Sequence, residues 1–494
     1  MNAPAPVLSH LEIRSIVIGL MMAMFLAALD QTIVSTAMPT IGRELGDAEN
    51  LPWIVTAYLL AATAVTPLYG KLSDIHGRRV MLLLAISAFV IGSVACALAP
   101  SMVTLALARG VQGIGGGGLI SLAQTIIGDI MSPRERARYQ AYIATVFVAS
   151  SIAGPLLGGF LAQHFGWPLI FWINIPIGIA AFVMTNGKLK LLPRHERPHR
   201  LDYWGAAALV VASTTLLLAL SWGGTRFSWG SVEVLGLLAL SAIVWGLFFL
   251  RLTRADEPLI PLSILADPVV YHATLAACFA MGTFIGLSIY VPIFFEGVLG
   301  LTASQSGMAL LPLMLGTVSG ATLSGRSMSY VRNYKMIPMV MMSLGVVACG
   351  VLAMFGRSVS FWGIEVLFLL ISLGLGTILP LSTIVIQNAV SLHQLGTATA
   401  SMNFFRSLGG ALIVAAFGTI VLGGTAGAAG QHDMESLIRG SDADHLAAVF
   451  RWVFAAADAG LALAWIFLAL LEQKPLLDRR TTGSEPEALT MTAE

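Results

Sequence analysis

Asp30 stands in Leu29-Asp30-Gln31-Thr32-Ile33-Val34, inside the first long apolar stretch of the chain. A carboxylate is costly to bury in hydrocarbon, so an acid at such a depth usually faces a cavity and works there. It can hydrogen-bond a neighbouring helix, or it can take up and release a proton or another cation. A second charge lies where it could meet the first. Arg109 opens the run Arg109-Gly110-Val111-Gln112-Gly113-Ile114-Gly115-Gly116-Gly117-Gly118. On a helix, Arg109, Gln112, Gly113 and Gly116 share one face. The glycines admit a second helix at close range, while the arginine and glutamine offer donors to a cavity. With the rise of an α-helix, Asp30 lies about 12 Å and Arg109 about 10 Å from the outer ends of their spans. Equal depth permits an ion pair. The same run holds a GxGxxG pattern, but a dinucleotide site needs a preceding strand and a soluble βαβ unit. Glycines inside an apolar span exclude that reading.

Three other segments carry polar or conformational chemistry. The stretch from Gly70 to Arg79 places Asp74, Gly77, Arg78 and Arg79 in a short turn. Asp74 could pair with Arg78 four residues on or cap a helix, and Asp129 could join them. Ser150, Gly154 and Gly158 form a small-residue stripe, with Gly159 beside it, that permits close helix packing; Pro155 removes a backbone donor and kinks the helix. Asn403 and Arg406 fall in a later apolar span, and Asp458 sits near the middle of the last one. Phe279, Met281, Phe284, Met402, Phe404 and Phe405 could line an adaptable apolar cavity or simply pack in the core. His195 and His199 have a metal-ligand spacing but stand in a basic loop without cysteines or acids. No metal site, cofactor, nucleotide loop or nucleophile–base constellation is expected, so the chain does not read as an enzyme.

The elements that hold these residues follow from composition. The chain has 494 residues, 57% hydrophobic and 11% charged, against roughly 25% charged in a soluble domain. Its mean hydropathy is +0.84. This excludes a soluble, disordered or disulfide-stapled protein. Spans of about 20 apolar residues are expected near 15–38, 52–70, 80–99, 102–127, 139–162, 168–186, 203–222, 232–250, 271–295, 305–325, 336–356, 362–386, 398–424 and 447–471, an all-α polytopic membrane protein with fourteen helices. With the N-terminus inside, twenty of the 27 Lys and Arg residues fall in inner segments and five in outer ones. That bias puts both termini in the cytoplasm. Basic segments after helices six and eight divide the chain into a cytoplasmic N-terminus (1–14), six helices (15–187), a central linker with two extra helices (188–268), six helices (269–471) and a tail (472–494). Two six-helix parts suggest a transporter with a midplane site between pseudo-symmetric halves.

These segments together resemble the major facilitator superfamily. Gly70–Arg79 looks like its signature loop, Arg109–Gly115 like its helix-four motif, and Gly154-Pro155-Leu156-Leu157-Gly158-Gly159 like the helix-five motif of proton-exchanging exporters. Leu29–Val34, Trp222-Gly223-Gly224 with Trp229, Glu257–Leu262 and Asn403–Gly410 resemble its fourteen-span drug:proton antiporter branch, although Ser150 replaces a usual glycine. The resemblance implies proton coupling by Asp30 and Arg109, cavity or motif roles for Gln112, Gly113, Asn403 and Arg406, a conformational latch of Gly70, Asp74, Gly77, Arg78 and Asp129, and a hinge at Gly154, Pro155, Gly158 and Gly159. It implies a multidrug-efflux type of transporter in the inner or plasma membrane. Its partners would be protons, a small amphipathic substrate and the bilayer, not nucleic acid; whether periplasmic or outer-membrane efflux partners join it is left open. An importer or exporter of a native metabolite on the same fold, and a membrane sensor without transport, are the rival readings. The topology is checked by a single cysteine at His195 in a chain otherwise free of reactive thiols. It should resist a membrane-impermeant maleimide added to intact cells and react in everted vesicles; labelling from outside would break the fourteen-span order.

Overall fold

The computed structural model describes residues 10–47, 50–191, 201–331, 333–356, 358–425 and 443–476. Residues 192–200, with His195 and His199, the first nine residues and those after 476 lie outside this set. The described residues form fourteen long helices: α1 His10–Leu45, α2 Trp53–His76, α3 Arg78–Ala97, α4 Met102–Ile130, α5 Pro133–His164, α6 Asn174–Lys188, α7 Tyr203–Trp222, α8 Val232–Arg254, α9 Pro268–Gly297, α10 Leu311–Tyr330, α11 Met336–Phe355, α12 Phe361–Ala389, α13 Leu395–Thr425 and α14 Ala443–Leu470. Short helices at Leu169–Trp172, Leu262–Leu265 and Ala303–Ala309 lead into α6, α9 and α10. Several helices outrun the apolar segments seen in the sequence, because their polar ends continue beyond the hydrocarbon: α1 has 36 residues, where about 20 suffice to span.

Thirteen of the described helices have the length and composition of a membrane span; α4 is not among them. At 29 residues it is long enough to cross. Its glycines and its polar side chains Arg109, Gln112, Gln124 and Asp129 keep its hydropathy low. The reason is packing. Gly113 and Gly117 face the backbone of α2, where an added Cβ would strike the Tyr58 and Ala62 carbonyls. Gly115 and Gly118 face Ala85 and Phe89 on α3. α4 is thus wedged between two helices at backbone distance, and most of it is buried.

Helices α1–α6 pack on one another, as do α9–α14. The first group encloses two apolar cores, one around Phe89 and Leu122 and one around Ile33 and Phe171. The second encloses a larger core around Phe294, Phe368 and Phe450. Between the groups the main contacts are α2 with α13 and α5 with α10. The extra pair α7–α8 rests against α2 and α13. Arg251 Nε donates to Asp202 Oδ1 at 3.1 Å, tying the start of α7 to the end of α8. At the other end of the pair, Trp222 meets Trp53 edge to face at 5.8 Å.

Small residues also set the α1–α5 contact. An added Cβ at Gly154 would meet Thr32, and one at Gly158 would meet Thr36 and the Ile33 carbonyl. Thr32 Oγ1 donates to the Ser150 carbonyl at 2.9 Å. Gly159 faces open space, so packing does not require a glycine there. Gly117→Ala should therefore lower stability by about 1–3 kcal/mol through overpacking, while Gly159→Ala should be close to neutral. Thermal unfolding of the two purified variants in detergent separates them, and equal melting temperatures would contradict the close α2–α4 approach.

Candidate functional site

Asp30 is fully buried on α1, and every group around it is a donor. Arg109 Nη1 reaches its Oδ2 at 2.5 Å. Gln112 Nε2 and Asn174 Nδ2 donate to its Oδ1 at 2.8 and 2.9 Å. Arg109 is equally buried. It also donates from Nε to the Ile54 carbonyl at 2.9 Å and from Nη1 to Gln112 Oε1 at 2.5 Å. Its guanidinium lies 4.4 Å from the Tyr58 ring centroid and 5.8 Å from that of Phe171. Ser93 Oγ receives a second bond from Gln112 Nε2 at 2.8 Å. A carboxylate, a guanidinium and three neutral polar side chains thus form one network sealed inside the first helix group. Such a pair is tolerated in an apolar interior only when its remaining lone pairs and protons are also matched.

A cavity of about 980 Å³ lies between the two helix groups. Tyr58, Gln31 and Thr56 line it on one side, and Met281, Phe284 and Tyr290 on the other. Asn403 and Arg406 also line it. Gln112 and Gly113 do not: the face of α4 that carries them turns inward to Asp30 and α2, and Gly116 and Gly117 reach the cavity wall instead. Of the six aromatic and methionine candidates, Met281 and Phe284 line it. Phe404 and Met402 are core residues, Phe405 packs beside the extra helices, and Phe279 stacks on Phe467. Asp458 sits near Gly350, between α14 and α11, away from the cavity.

The end of the cavity toward the Gly70–Arg79 loop is closed by contacts across the two groups. Arg78 pairs with Asp74, and its Nε donates to Asp129 Oδ2 at 2.8 Å. Asp74 reaches across to α13, where its Oδ2 accepts from Thr397 N at 2.9 Å and Thr397 Oγ1 at 2.6 Å, and its Oδ1 from Gly396 N at 3.2 Å. It therefore does both things foreseen for it, pairing with Arg78 and capping a helix, and the helix belongs to the other group. The closing negative charge sits where the helix dipole favours it. Gly70 lets α2 touch the Gly396 carbonyl, and Gly77 turns the chain with φ of 91°. Above this latch, Asn403 Nδ2 donates to Gln124 Oε1 at 2.9 Å, Gln387 Nε2 to the Gln124 carbonyl at 3.1 Å and Arg136 Nη1 to Gln387 Oε1 at 2.8 Å. Arg138 stacks 5.5 Å from the Tyr330 ring, also across the groups. At the other end, Thr225, Leu422 and Thr419 line the cavity mouth beside the extra helices.

Asn174, Ser93, Tyr58, Gln387, Gln124 and Thr397 were not among the residues singled out for a role. Their signal is a neutral polar side chain inside an apolar span. It is weak because many such hydroxyls merely bond their own helix, as Ser213 does to the Leu209 carbonyl.

Two helix groups around a cavity, closed at one end by a carboxylate of one group that caps a helix of the other, define a membrane transporter. A family model, Major Facilitator Superfamily, matches residues 20–414, and the chain belongs to that superfamily. It is 33% identical to the multidrug transporter protein MdtP of Bacillus subtilis over 408 residues, 82% of this chain and 75% of that one. It is 34% identical to an uncharacterized MFS-type transporter of Mycobacterium tuberculosis over 420 residues, 85% of this chain, and spans 61% of that relative's length. Among solved structures, the human organic anion transporter MFSD10 superposes with a TM-score of 0.66 at 18% identity, covering 93% of this chain and 99% of that one. That last likeness concerns the fold.

The latch generates its own prediction. Asp74→Asn keeps the shape but gives up the charge that closes on Arg78 and on the start of α13. It should shift the population toward an arrangement open at this end, with turnover changed more than substrate affinity. Spin labels on α2 and α13 at that end, read by pulsed dipolar spectroscopy, should show a longer distance component in the variant. An unchanged distribution together with a large loss of affinity would contradict the latch.

Proposed function

We propose that the chain is a proton-coupled exporter of small amphipathic organic compounds, working by alternating access in the inner or plasma membrane with both termini in the cytoplasm. The observation that carries this reading is the buried Asp30–Arg109 pair placed directly behind Tyr58 in the cavity wall. On this reading the basic loops mark the cytoplasmic side, so the latch closes the cytoplasmic end and the cavity faces outward. The bilayer, protons and the substrate are then its partners. The similarity to multidrug transporters supports export of organic compounds.

The cycle follows from the donor set. An ionised Asp30 accepts from Arg109, Gln112 and Asn174 at once. Protonation turns one of those oxygens into a donor, so at least one partner must let go. Arg109 still has Ile54, Gln112 and the Tyr58 face to hold it, and any shift it makes is felt by Tyr58 at the cavity surface. A proton entering from outside and a substrate leaving the cavity thus act on the same wall. With the proton bound and the substrate gone, opening of the latch delivers the proton to the cytoplasm and admits a new substrate. The small-residue contact between α1 and α5 at Gly154 and Gly158, beside Pro155, is the hinge on which α1 turns.

Asp30→Asn is near-isosteric but cannot titrate. In everted vesicles with an imposed pH gradient it should lose substrate accumulation down to the level of vesicles lacking the protein. Exchange of labelled for unlabelled substrate without a gradient should remain. Arg109→Ala should impair the same coupling, and the double variant should lose less than the two single losses combined. Accumulation by Asp30→Asn at the wild-type rate would place the coupling acid elsewhere.

A further inference from the structure

We propose that Arg406 makes the cavity a binding site for organic anions, with the guanidinium taking a carboxylate, sulfonate or similar group while the apolar wall holds the rest of the molecule. This rests on the exporter reading for the direction of movement but not for the binding itself. The argument begins with charge. Among the described residues that line the cavity, Arg406 carries the one formal charge; the lining includes no Asp or Glu. The other polar lining groups are hydroxyls and amides. Arg406 also has no hydrogen-bond or ion-pair partner among the described residues, in contrast to Arg109, Arg78 and Arg136, each held by several acceptors. A guanidinium has five N–H donors in a planar fork that fits an oxyanion.

Position adds to this. On α13, Asn403, Arg406, Ser407, Gly410, Ala411 and Val414 all face the cavity, the spacing of one helical stripe. Asn403 closes the floor by bonding Gln124 of the opposite group. Arg406 stands one turn above that floor, so a ligand reaching the bottom of the cavity meets it. Ser407 beside it is exposed and offers a hydroxyl to the same oxyanion. Met281 and Phe284 on α9 and Phe147 on α5 supply the apolar surface, and Met side chains adapt to varied shapes. A cavity of about 980 Å³ accommodates a molecule of drug size. An unpaired positive charge in a partly dehydrated pocket attracts an anion, and it repels a cation that finds no carboxylate to balance it. Selectivity by sign is the result: anions first, neutral analogues next, organic cations last.

The test uses three aromatic probes of similar size: 8-anilinonaphthalene-1-sulfonate, its uncharged counterpart N-phenyl-1-naphthylamine, and the cation ethidium. Their binding to the purified full chain in lipid nanodiscs is measured by calorimetry, with empty nanodiscs subtracted. The wild type should bind the sulfonate more tightly than the neutral probe, and ethidium most weakly. Arg406→Gln should weaken the sulfonate by about 10- to 100-fold, the range of a charge-assisted hydrogen bond, and leave the neutral probe within about twofold. Arg406→Lys should retain part of the preference, which guards against a variant that merely misfolds. Absence of sulfonate binding by the wild type, tighter binding of ethidium, or equal weakening of charged and neutral probes by Arg406→Gln would each overturn the proposal. Transport separates it from the exporter reading. If ethidium is pumped under a pH gradient and Arg406→Gln leaves binding of the sulfonate unchanged, the exporter stands and the anion site falls. If the sulfonate binds through Arg406 but no probe moves under a gradient, the site stands and the exporter falls.

Discussion

A carboxylate and a guanidinium inside an apolar helix bundle must find each other and must find partners for every remaining lone pair and proton. Breaking such a pair by removing one member typically costs about 3–5 kcal/mol. Much of the first helix group follows from that requirement. Arg109 reaches Asp30 because α4 lies within backbone distance of α2 and α3, and it lies there because its facing residues are glycines. Asn174 completes the carboxylate from α6. Ser93 on α3 accepts from both amide side chains at 2.8 and 3.4 Å. Five helices therefore converge on one charge, since the carbonyl of Ile54 on α2 holds the guanidinium in place.

The two helix groups obey a different constraint. Among the described residues they share no single apolar core; their contact is made of a helix cap, a handful of amide and guanidinium hydrogen bonds and two glycine-mediated backbone approaches at Gly70 and Gly325. Polar contacts of this kind exchange for water at modest net cost. A joint held by them can open without exposing a large hydrophobic surface, which a buried Leu and Phe interface could not do. The small apolar cluster at Phe248, Leu252 and Phe404 is the exception. It fastens the extra helices to α13 on the flank, away from the latch.

What the sequence showed, and what it did not, divides along physical lines. Depth was legible: counting residues from the ends of the spans placed Asp30 and Arg109 at one level, and they are bonded. Proximity in sequence was legible too, as with Asp74 and Arg78. Helical rotation was not. Arg109, Gln112 and Gly113 do share a face, but nothing in the spacing says whether that face meets a cavity or another helix. The hydropathy of α4 is equally ambiguous, because glycines that serve packing lower it as polar residues would. Long-range partners such as Thr397 for Asp74, 323 residues away, leave no local trace at all. The division into six, two and six helices came from basic loops, whereas residues 192–200 between the first group and the extra pair lie outside those described.

The glycine face of α4 bears on how the chain is made. A segment that gains little from hydrocarbon by itself has a weak claim to stay in the bilayer as it leaves the ribosome. The partners that justify its composition, α2 and α3, are synthesised just before it. The turn from α3 is short, running from Leu98 to Ser101, so α4 enters beside a helix whose matching surface is already waiting. Retention of the arginine at mid-bundle is then a cooperative event of assembly rather than a property of the segment. A larger side chain anywhere along that face would be felt first in the yield of inserted protein, before any substrate is met.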